Sequence, residues 1–331
     1  MNVAGVRIAG IAACVPEGEV DNVASLKSAY GDKADAIVKA TGILKRRVAH
    51  EGVHVVDLCV GAAARVMADC GVSAGDIGAV VGVSFTADRM PCVACQAQAR
   101  LRLPQSIVAF DLMMGCSGWG YGLYLAGQLA RETGRKVLLL DGDVQNAFAD
   151  PQDAATLPLF SDGGTATLVE PLADAASAPA WRFAFASDGA SGAALSLESG
   201  GSIRMDGFAV YRFVAVEVSK RLKEFMAEEG VSPDSVEAFV PHQANVFMVR
   251  QLAKAIGISE DRLWVSADRL GNLSSASVPA TLAYIGLSRA LPRQVLFSGF
   301  GGGLSFSAGL FGLDAGCRLA FLTLPACGDC P

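Results

Sequence analysis

The sequence predicts an α/β protein built from a duplicated unit, with two sheets stacked between helices as a five-layered α/β/α/β/α pseudo-dimer. Three observations predict it. The 331 residues are 52% hydrophobic but only 7% aromatic, with a mean hydropathy of +0.39, which suits tightly packed layers around a large core. Val-rich runs that read as buried strands alternate with amphipathic stretches, the pattern of helix-covered mixed or parallel sheets. The two halves also echo each other in the same order at an offset of about 158 residues, the mark of an internal repeat.

The elements follow along the chain. Val3 to Ala13 reads as a first strand. A secretory leader ending near Ala13 is the alternative, but there is no basic n-region and Arg7 interrupts the apolar run. No run reaches the length of a membrane span, so the protein is expected in the cytoplasm. GVSAGDIGAVVGVS from Gly71 and GVSPDSVEAFVPHQ from Gly230 each join a helix end, a Ser-led turn and a buried strand. Amphipathic stretches follow at Ala94–Leu103 and Val246–Ile258, then strands ending at Asp111 and Asp268. GCSGWGYGLYLAGQLA and GNLSSASVPATLAYIGLSRA each open a helix after a turn, and RKVLLLDGD from Arg135 matches RQVLFSGFGGG from Arg293. Residues 22–50 and 149–156 have no counterpart and read as insertions, and 187–207 as loop. The expected division is 1–175 and 176–313 for the two copies, with 314–331 as a Cys-containing extension.

Composition excludes some functions. Twenty-seven basic against 33 acidic residues give a net charge of −6, without the basic clusters that nucleic-acid phosphates need. No GxGxxG follows the first strand, which disfavours a dinucleotide-binding oxidoreductase. Nine cysteines, odd in number and scattered, fit reduced thiols. Cys92 and Cys95 read as buried helix-facing thiols. Cys327 and Cys330 resemble a redox dithiol, but lack its βαβ context and read as part of a weakly ordered or strand-like appendage. Nothing suggests a metal or redox cofactor.

The repeat places the candidate chemistry. Cys116 lies five residues after Asp111 and Asn272 four after Asp268, so they occupy equivalent turns, while His242 ends the second copy's strand and caps the next helix. Strand-to-helix junctions are where α/β proteins usually place their sites. Cys116 precedes a long helix, whose dipole and free N–H groups favour a thiolate. His50 and His54 fall in a polar stretch and read as surface residues. Taken singly, a core cysteine, a structural histidine and a turn asparagine remain open readings.

TGILKRRVA from Thr41, FDLMMGCSGWGYGL from Phe110, FSDGGTA from Phe160, MDGFAVYRF from Met205, PHQAN from Pro241, GNLSSASVP from Gly271 and FGGGLSFSAGL from Phe300 together resemble 3-oxoacyl-[acyl-carrier-protein] synthase III, in the thiolase superfamily of condensing enzymes. The resemblance implies a decarboxylative condensation of an acyl primer thioester with malonyl-acyl carrier protein. Cys116 would be the nucleophile, His242 and Asn272 the enolate-stabilising pair, and the Cys116 and Gly302 N–H groups the oxyanion hole. Phe300, Met90, Met113 and Met114 would line the substrate pocket, with Met90 reaching into a partner's pocket in a homodimer; core filling is the alternative for the methionines. Arg212 and Arg250 would help dock the carrier, where the usual first basic residue is replaced by Phe247. The tryptophan and two arginines that grip coenzyme A in well-known members fall on Ala36, Ala40 and Ala154, so the primer is expected on a carrier or atypical thioester. The rival readings are a same-fold acyltransferase, a non-decarboxylating condensing enzyme, or a non-catalytic partner subunit.

Overall fold

The computed structural model describes residues 1–325 except 88, 89, 151, 154 and 199. One sheet holds β2 (Val6–Pro16), β5 (Ile77–Val83), β6 (Val108–Leu112), β7 (Lys136–Asp143), β8 (Gly163–Pro171) and β15 (Arg318–Leu324), in the order β15–β2–β8–β7–β5–β6. The other holds β1 (Asn2–Val3), β9 (Trp181–Ser187), β12 (Ala238–Pro241), β13 (Val295–Gly301) and β14 (Ser305–Phe311), in the order β1–β9–β14–β13–β12. Along β2–β8–β7–β5 and along β9–β14–β13–β12 the pairings run antiparallel, antiparallel, parallel. The sequence repeat is thus a repeat of sheet topology.

Between the sheets lie α5 (Gly118–Thr133) and α10 (Ser277–Gly286), the helices that open the two matching turns. Trp119, Leu123 and Ala126 of α5 and Val278, Leu282 and Ala283 of α10 share one core with Val81 and Leu139 of the first sheet and Val240 and Phe297 of the second. The outer face of the first sheet is covered by α3 (Val55–Asp69) and α4 (Val93–Arg100). That of the second is covered by α8 (Val246–Ile256) and by α6 (Gly207–Arg212), which continues through a π-helical turn into α7 (Ser219–Glu228). The five predicted layers are present. β5 shows why its sequence reads as a covered strand: all seven residues of IGAVVGV are buried, as expected for a strand with helices on both faces.

The structure departs from the sequence reading in three places. The first strand is two: the chain turns at Gly5, in the left-handed region with φ 74°, so that Asn2–Val3 pairs with β9 in the second sheet. The strand expected to end at Asp268 shrinks to one parallel bridge, Phe239 to Leu263. The buried Gln243 Oε1 accepts from Ser266 N and Ala267 N at 2.9 and 3.2 Å, taking donors that a ladder would use, and the chain turns into the short α9 (Ala267–Leu270). The expected 187–207 loop contains a hairpin, β10 (Leu195–Leu197) with β11 (Ile203–Met205). The tail, read as weakly ordered or strand-like, is a sheet strand over 318–324, parallel to β2, while Cys327 and Cys330 lie outside the described residues.

The 22–50 insertion forms α1 (Asn22–Tyr30), α2 (Ala34–Thr41) and the pair β3 (Glu19–Asp21) with β4 (Lys45–Arg47). Buried Arg46 ties it down, donating to Asn22 Oδ1, Asn146 Oδ1 and Phe160 O at 2.8, 2.9 and 3.1 Å.

Candidate active site

Cys116 sits in the turn just before α5, and that turn is clamped to β14. Ser307 Oγ donates to Ser117 O at 2.8 Å, and the Ser117 and Ser305 hydroxyls share a 2.6 Å hydrogen bond. No side chain caps α5, so the positive end of its dipole is left facing the turn that carries the sulfur. The end of β13 comes up against the same side chain. A Cβ on Gly301 would stand 2.8 Å from Cys116 Cβ and 3.1 Å from Sγ, so only a glycine fits at this crossing. The thiol opens onto a cavity of about 790 Å³ lined by Phe85, Met114, Phe148, Phe160, Leu195 and Gly302, among others.

His242 and Asn272 belong to the second copy, and both adjoin Ser274 in the turn before α10. His242 follows β12, and its N–H donates to Ser298 O at 2.7 Å. It does not cap the next helix; Asn245 does, accepting from Met248 N at 2.8 Å. The imidazole lies edge-on to Phe300 at 5.3 Å, and its Nδ1 is buried without a hydrogen-bond partner. Asn272 is fixed through its backbone, donating to Leu159 O and accepting from Ser161 N, both at 2.9 Å, and accepting from Gln145 Nε2 at 2.8 Å. Its Oδ1 accepts from Ser274 N at 2.9 Å, which leaves the amide Nδ2 as the end that can donate.

Ser274 joins the set. It is fully buried, it is one of two non-glycine residues with positive φ among those described (52°), and it influences Cys116 through its side chain and His242 through its backbone. Burial pushes the Cys116 thiol up to about 12, aided by the nearby Asp143 charge and opposed by the Ser274 hydroxyl. Burial holds the His242 imidazole down to about 3, against an upward pull from a backbone hydrogen bond at Ser274. At neutral pH the pair is therefore thiol and neutral imidazole, not an ion pair. Asp143, fully buried at the end of β7, is pushed up to about 6 by burial, moderated by the nearby Ser274 hydroxyl and by hydrogen bonds from Ser84, Phe85 and Thr86.

The remaining sequence candidates divide. Gly302, Met113 and Met114 border the cavity. Phe300 is buried against His242. Met90, 88% exposed, is outside the cavity's lining, and Met113 is 85% exposed, so neither fills the core. Arg212 is exposed, whereas Arg250 pairs with Glu260 at 2.8 Å. Phe247 stacks on Tyr211 with ring centres 6.2 Å apart. Ala36 and Ala40 are exposed one turn apart on α2, and Ala154 lies outside the described residues. His54, expected as a surface residue, is half-buried at the start of α3, where its N–H donates to Asp57 Oδ2 at 2.7 Å. Cys92 and Cys95 are half-buried free thiols, less enclosed than expected. Among the described residues no group of three or more His, Cys, Asp or Glu gathers to hold a metal, and no helix is long and apolar enough to cross a membrane.

Ser274 and Asp143 escaped the sequence reading, though each had a signal. Ser274 lies within GNLSSASVP, and Asp143 ends a strand, KVLLLDGD, whose acids are out of place in an apolar run.

A duplicated five-layered fold with two central helices between its sheets is the fold of the thiolase-like condensing enzymes. Two family models match: 3-oxoacyl-[acyl-carrier-protein] synthase III over residues 110–199 and its C-terminal region over 226–313. A beta-ketoacyl-[acyl-carrier-protein] synthase III from Rhodopirellula baltica is 31% identical, covering 94% of this chain and 99% of its own. The crystal structure of a 3-oxoacyl-(acyl-carrier protein) synthase from Burkholderia xenovorans superposes with a TM-score of 0.91 at 30% identity, covering 98% of both chains. The priming β-ketosynthase of the R1128 polyketide pathway gives 0.85 at 27% identity, covering 94% of this chain and 97% of that one. The chain belongs to the beta-ketoacyl-[acyl-carrier-protein] synthase III family, and it is an enzyme of the acyltransferase type.

Proposed function

We propose that this enzyme condenses an acyl primer thioester with malonyl-acyl carrier protein, releasing CO2 and a 3-oxoacyl thioester in fatty-acid or specialised lipid or polyketide synthesis. The observation that carries this is the meeting of Cys116 with His242 and Asn272 around Ser274, on a cavity large enough for an acyl chain.

In the first stage the Cys116 sulfur attacks the primer carbonyl and the leaving thiolate departs. The backbone N–H groups of Cys116 and Gly302 stabilise the tetrahedral oxyanion. In the second, malonyl-carrier enters. The Asn272 Nδ2 and the one N–H of a neutral His242 donate to its thioester oxygen, stabilising the enolate left as CO2 departs. A neutral donor suits this step, because it places a dipole on the developing charge without requiring a buried cation. Phe300 beside His242 provides an apolar wall that disfavours the carboxylate before CO2 is lost. The enolate carbon then attacks acyl-Cys116 and frees the sulfur.

The primer arrives on a carrier protein or an atypical thioester, since Ala36, Ala40 and Ala154 offer no ring to stack on an adenine and no cation for its phosphates. Arg212 and Arg250 contribute to carrier docking, beside the apolar Tyr211–Phe247 pair. The enzyme works as a homodimer in which the exposed Met90, Met113 and edge residue Val108 are covered.

The test is intact-mass detection of acyl-Cys116 after incubation with acetyl-CoA and a panel of acyl-carriers, followed by release of labelled CO2 from malonyl-carrier. Expected are acylation by carriers in preference to acetyl-CoA, CO2 release coupled to product, and loss of both in Cys116→Ala. Acyl-Cys116 that forms but releases no CO2 would move the assignment to acyl transfer onto an alcohol or amine.

A further inference from the structure

A fully buried amide on the border of the Cys116 cavity has one polar atom to spare, and that atom is an acceptor. Gln145 opens the short turn Gln145–Phe148 after β7, is 1% exposed, and borders the cavity. Its Nε2 donates to Ser161 O at 2.7 Å and to Asn272 O at 2.8 Å. Two carbonyls on one nitrogen fix the orientation of the amide, because a flip would set Oε1 against both of them. Oε1 can therefore only accept, and it is buried without a hydrogen-bond partner. The turn is not free to swing and relieve it. Before Gln145, Val144 N donates to Thr86 Oγ1 at 2.9 Å. After it, Asn146 N donates to Asp162 Oδ1 at 2.9 Å, and Asn146 Oδ1 accepts from Arg46 at 2.9 Å.

The other polar side chains of the lining are engaged elsewhere or lie in the open. Thr86 Oγ1 donates to Asp143 Oδ1 at 3.0 Å, and Ser305 Oγ donates to Gly302 O at 2.6 Å. Ser187 and Glu198 are exposed, and Ser196 is half-buried. Much of the remaining wall is apolar, with the rings of Phe85, Phe148 and Phe160. Bracing Asn272 uses only the nitrogen of Gln145, so that role does not account for the spare oxygen. A buried acceptor left unbonded is destabilising and calls for an explanation.

We propose that Gln145 is a specificity-determining residue, and that the acyl primer carries a neutral hydrogen-bond donor, a hydroxyl or an amide N–H, which binds Gln145 Oε1. The donor is neutral because Glu198 is the one carboxylate among the described lining residues, and it is exposed. An ammonium beside Gln145 would be a buried charge without a partner. The cavity, about 790 Å³, has room for a substituted chain. This primer specificity deepens the proposed function and rests on Cys116 being the residue that is acylated.

The selectivity has a definite sign. An apolar pocket has no reason to favour a chain that adds a hydroxyl, although it rejects such a chain only weakly. A pocket holding a fixed acceptor rejects the plain chain, which leaves that acceptor unpaired.

The experiment measures kcat/KM for Cys116 acylation by intact mass, with N-acetylcysteamine thioesters and with acyl-carriers, so that the outcome does not depend on how the primer is delivered. The primers are butyryl and hexanoyl chains, and the same chains bearing a hydroxyl or an acetamido group at successive carbons from the third. Wild type, Gln145→Met and Gln145→Leu are compared. Wild type should favour one substituted position over the plain chain by about 10- to 100-fold, the range expected for pairing a buried acceptor. Whether the hydroxyl or the acetamido arm gains identifies the donor. In both variants the ratio should fall to unity or below. A general loss of rate in the variants reports the missing brace on Asn272, and the ratio between matched primers is unaffected by it. The wild-type comparison stands by itself should the variants fold poorly. Plain chains that react as fast as every substituted one, or a preference that survives in Gln145→Met, overturn the role of Gln145 and leave Oε1 to water, while Cys116 keeps its own. Failure of every thioester to acylate Cys116 overturns the reading of that residue, and the primer specificity with it.

Discussion

Asp141 is the residue whose chemistry the fold least accommodates. It lies on β7 two positions before Asp143, fully buried, with neither carboxylate oxygen hydrogen-bonded. Burial, and then the Asp143 charge, push its pKa well above the ordinary carboxylate range. A carboxyl raised in the folded state binds its proton more tightly there than in the unfolded chain. Stability is then full below the unfolded pKa of about 4 and falls as pH rises from there toward the folded value, by about 1.4 kcal/mol per unit. Replacing Asp141 with Val, which suits a buried strand, should therefore stabilise the protein by about 2 kcal/mol or more at pH 8 and less at pH 5. Urea unfolding at the two pH values checks this, and an equal effect at both would refute it. The same residue scale shows what sequence could reveal of the site. Cys116, His242 and Asn272 each sit in a short local pattern. Ser274 and Asp143 acquire meaning only because the turn after Asn272 packs on the end of β7, a contact no local pattern encodes.

Among elements, the crossing of β13 against the start of α5 is the tightest constraint on the chemistry. Gly299 and Gly301 face the helix start: a Cβ on Gly299 would stand 2.7 Å from Ser117 Cα, and one on Gly301 2.8 Å from Cys116 Cβ. Gly301→Ala should move the sulfur by a few tenths of an ångström and slow Cys116 acylation by about 10-fold or more, since misplacement on this scale is felt strongly in the rate. The melting temperature should fall only modestly, because the substitution lies at a strand end beside a cavity. A single-turnover acylation rate at unchanged fold is the measurement, and an unaltered rate would mean that the sulfur tolerates the crowding. Elements with strong local signals were legible: β5 from its unbroken small and branched residues, α5 and α10 from the matching turns. The lost second-copy strand was not, because a buried glutamine 20-odd residues away in sequence captures its backbone donors. Nor was the split of the first strand, where one glycine at positive φ sends two residues to the other sheet.

At the scale of the whole molecule, the two copies are not closed on themselves. β1, from the start of the chain, edges the second sheet, and β15, from its end, edges the first, so each half is completed by a strand from beyond the other. β15 pairs with β2 from Gly10 to Pro16, and Leu324 O accepts from Glu17 N at 2.9 Å. Arg7 adds ion pairs to Asp314 at 3.0 Å and to Glu170 at 2.5 Å. Ending the chain at residue 313 would uncover the edge of β2, an eleven-residue strand buried along most of its length, and would expose Cys70, which reaches Ala9 O. An exposed, long, apolar edge recruits other chains. The truncated protein should therefore melt several degrees lower and form larger species on light scattering as it is warmed, while its freshly purified form keeps Cys116 acylation, because among the elements that build the site β15 packs on α10, around Tyr284 and Gly286, away from the turn that carries Asn272. A truncated protein that stays unassociated and melts like the full chain would make β15 an ornament of the sheet. Loss of acylation without any change in melting would instead place the tail in the substrate's path.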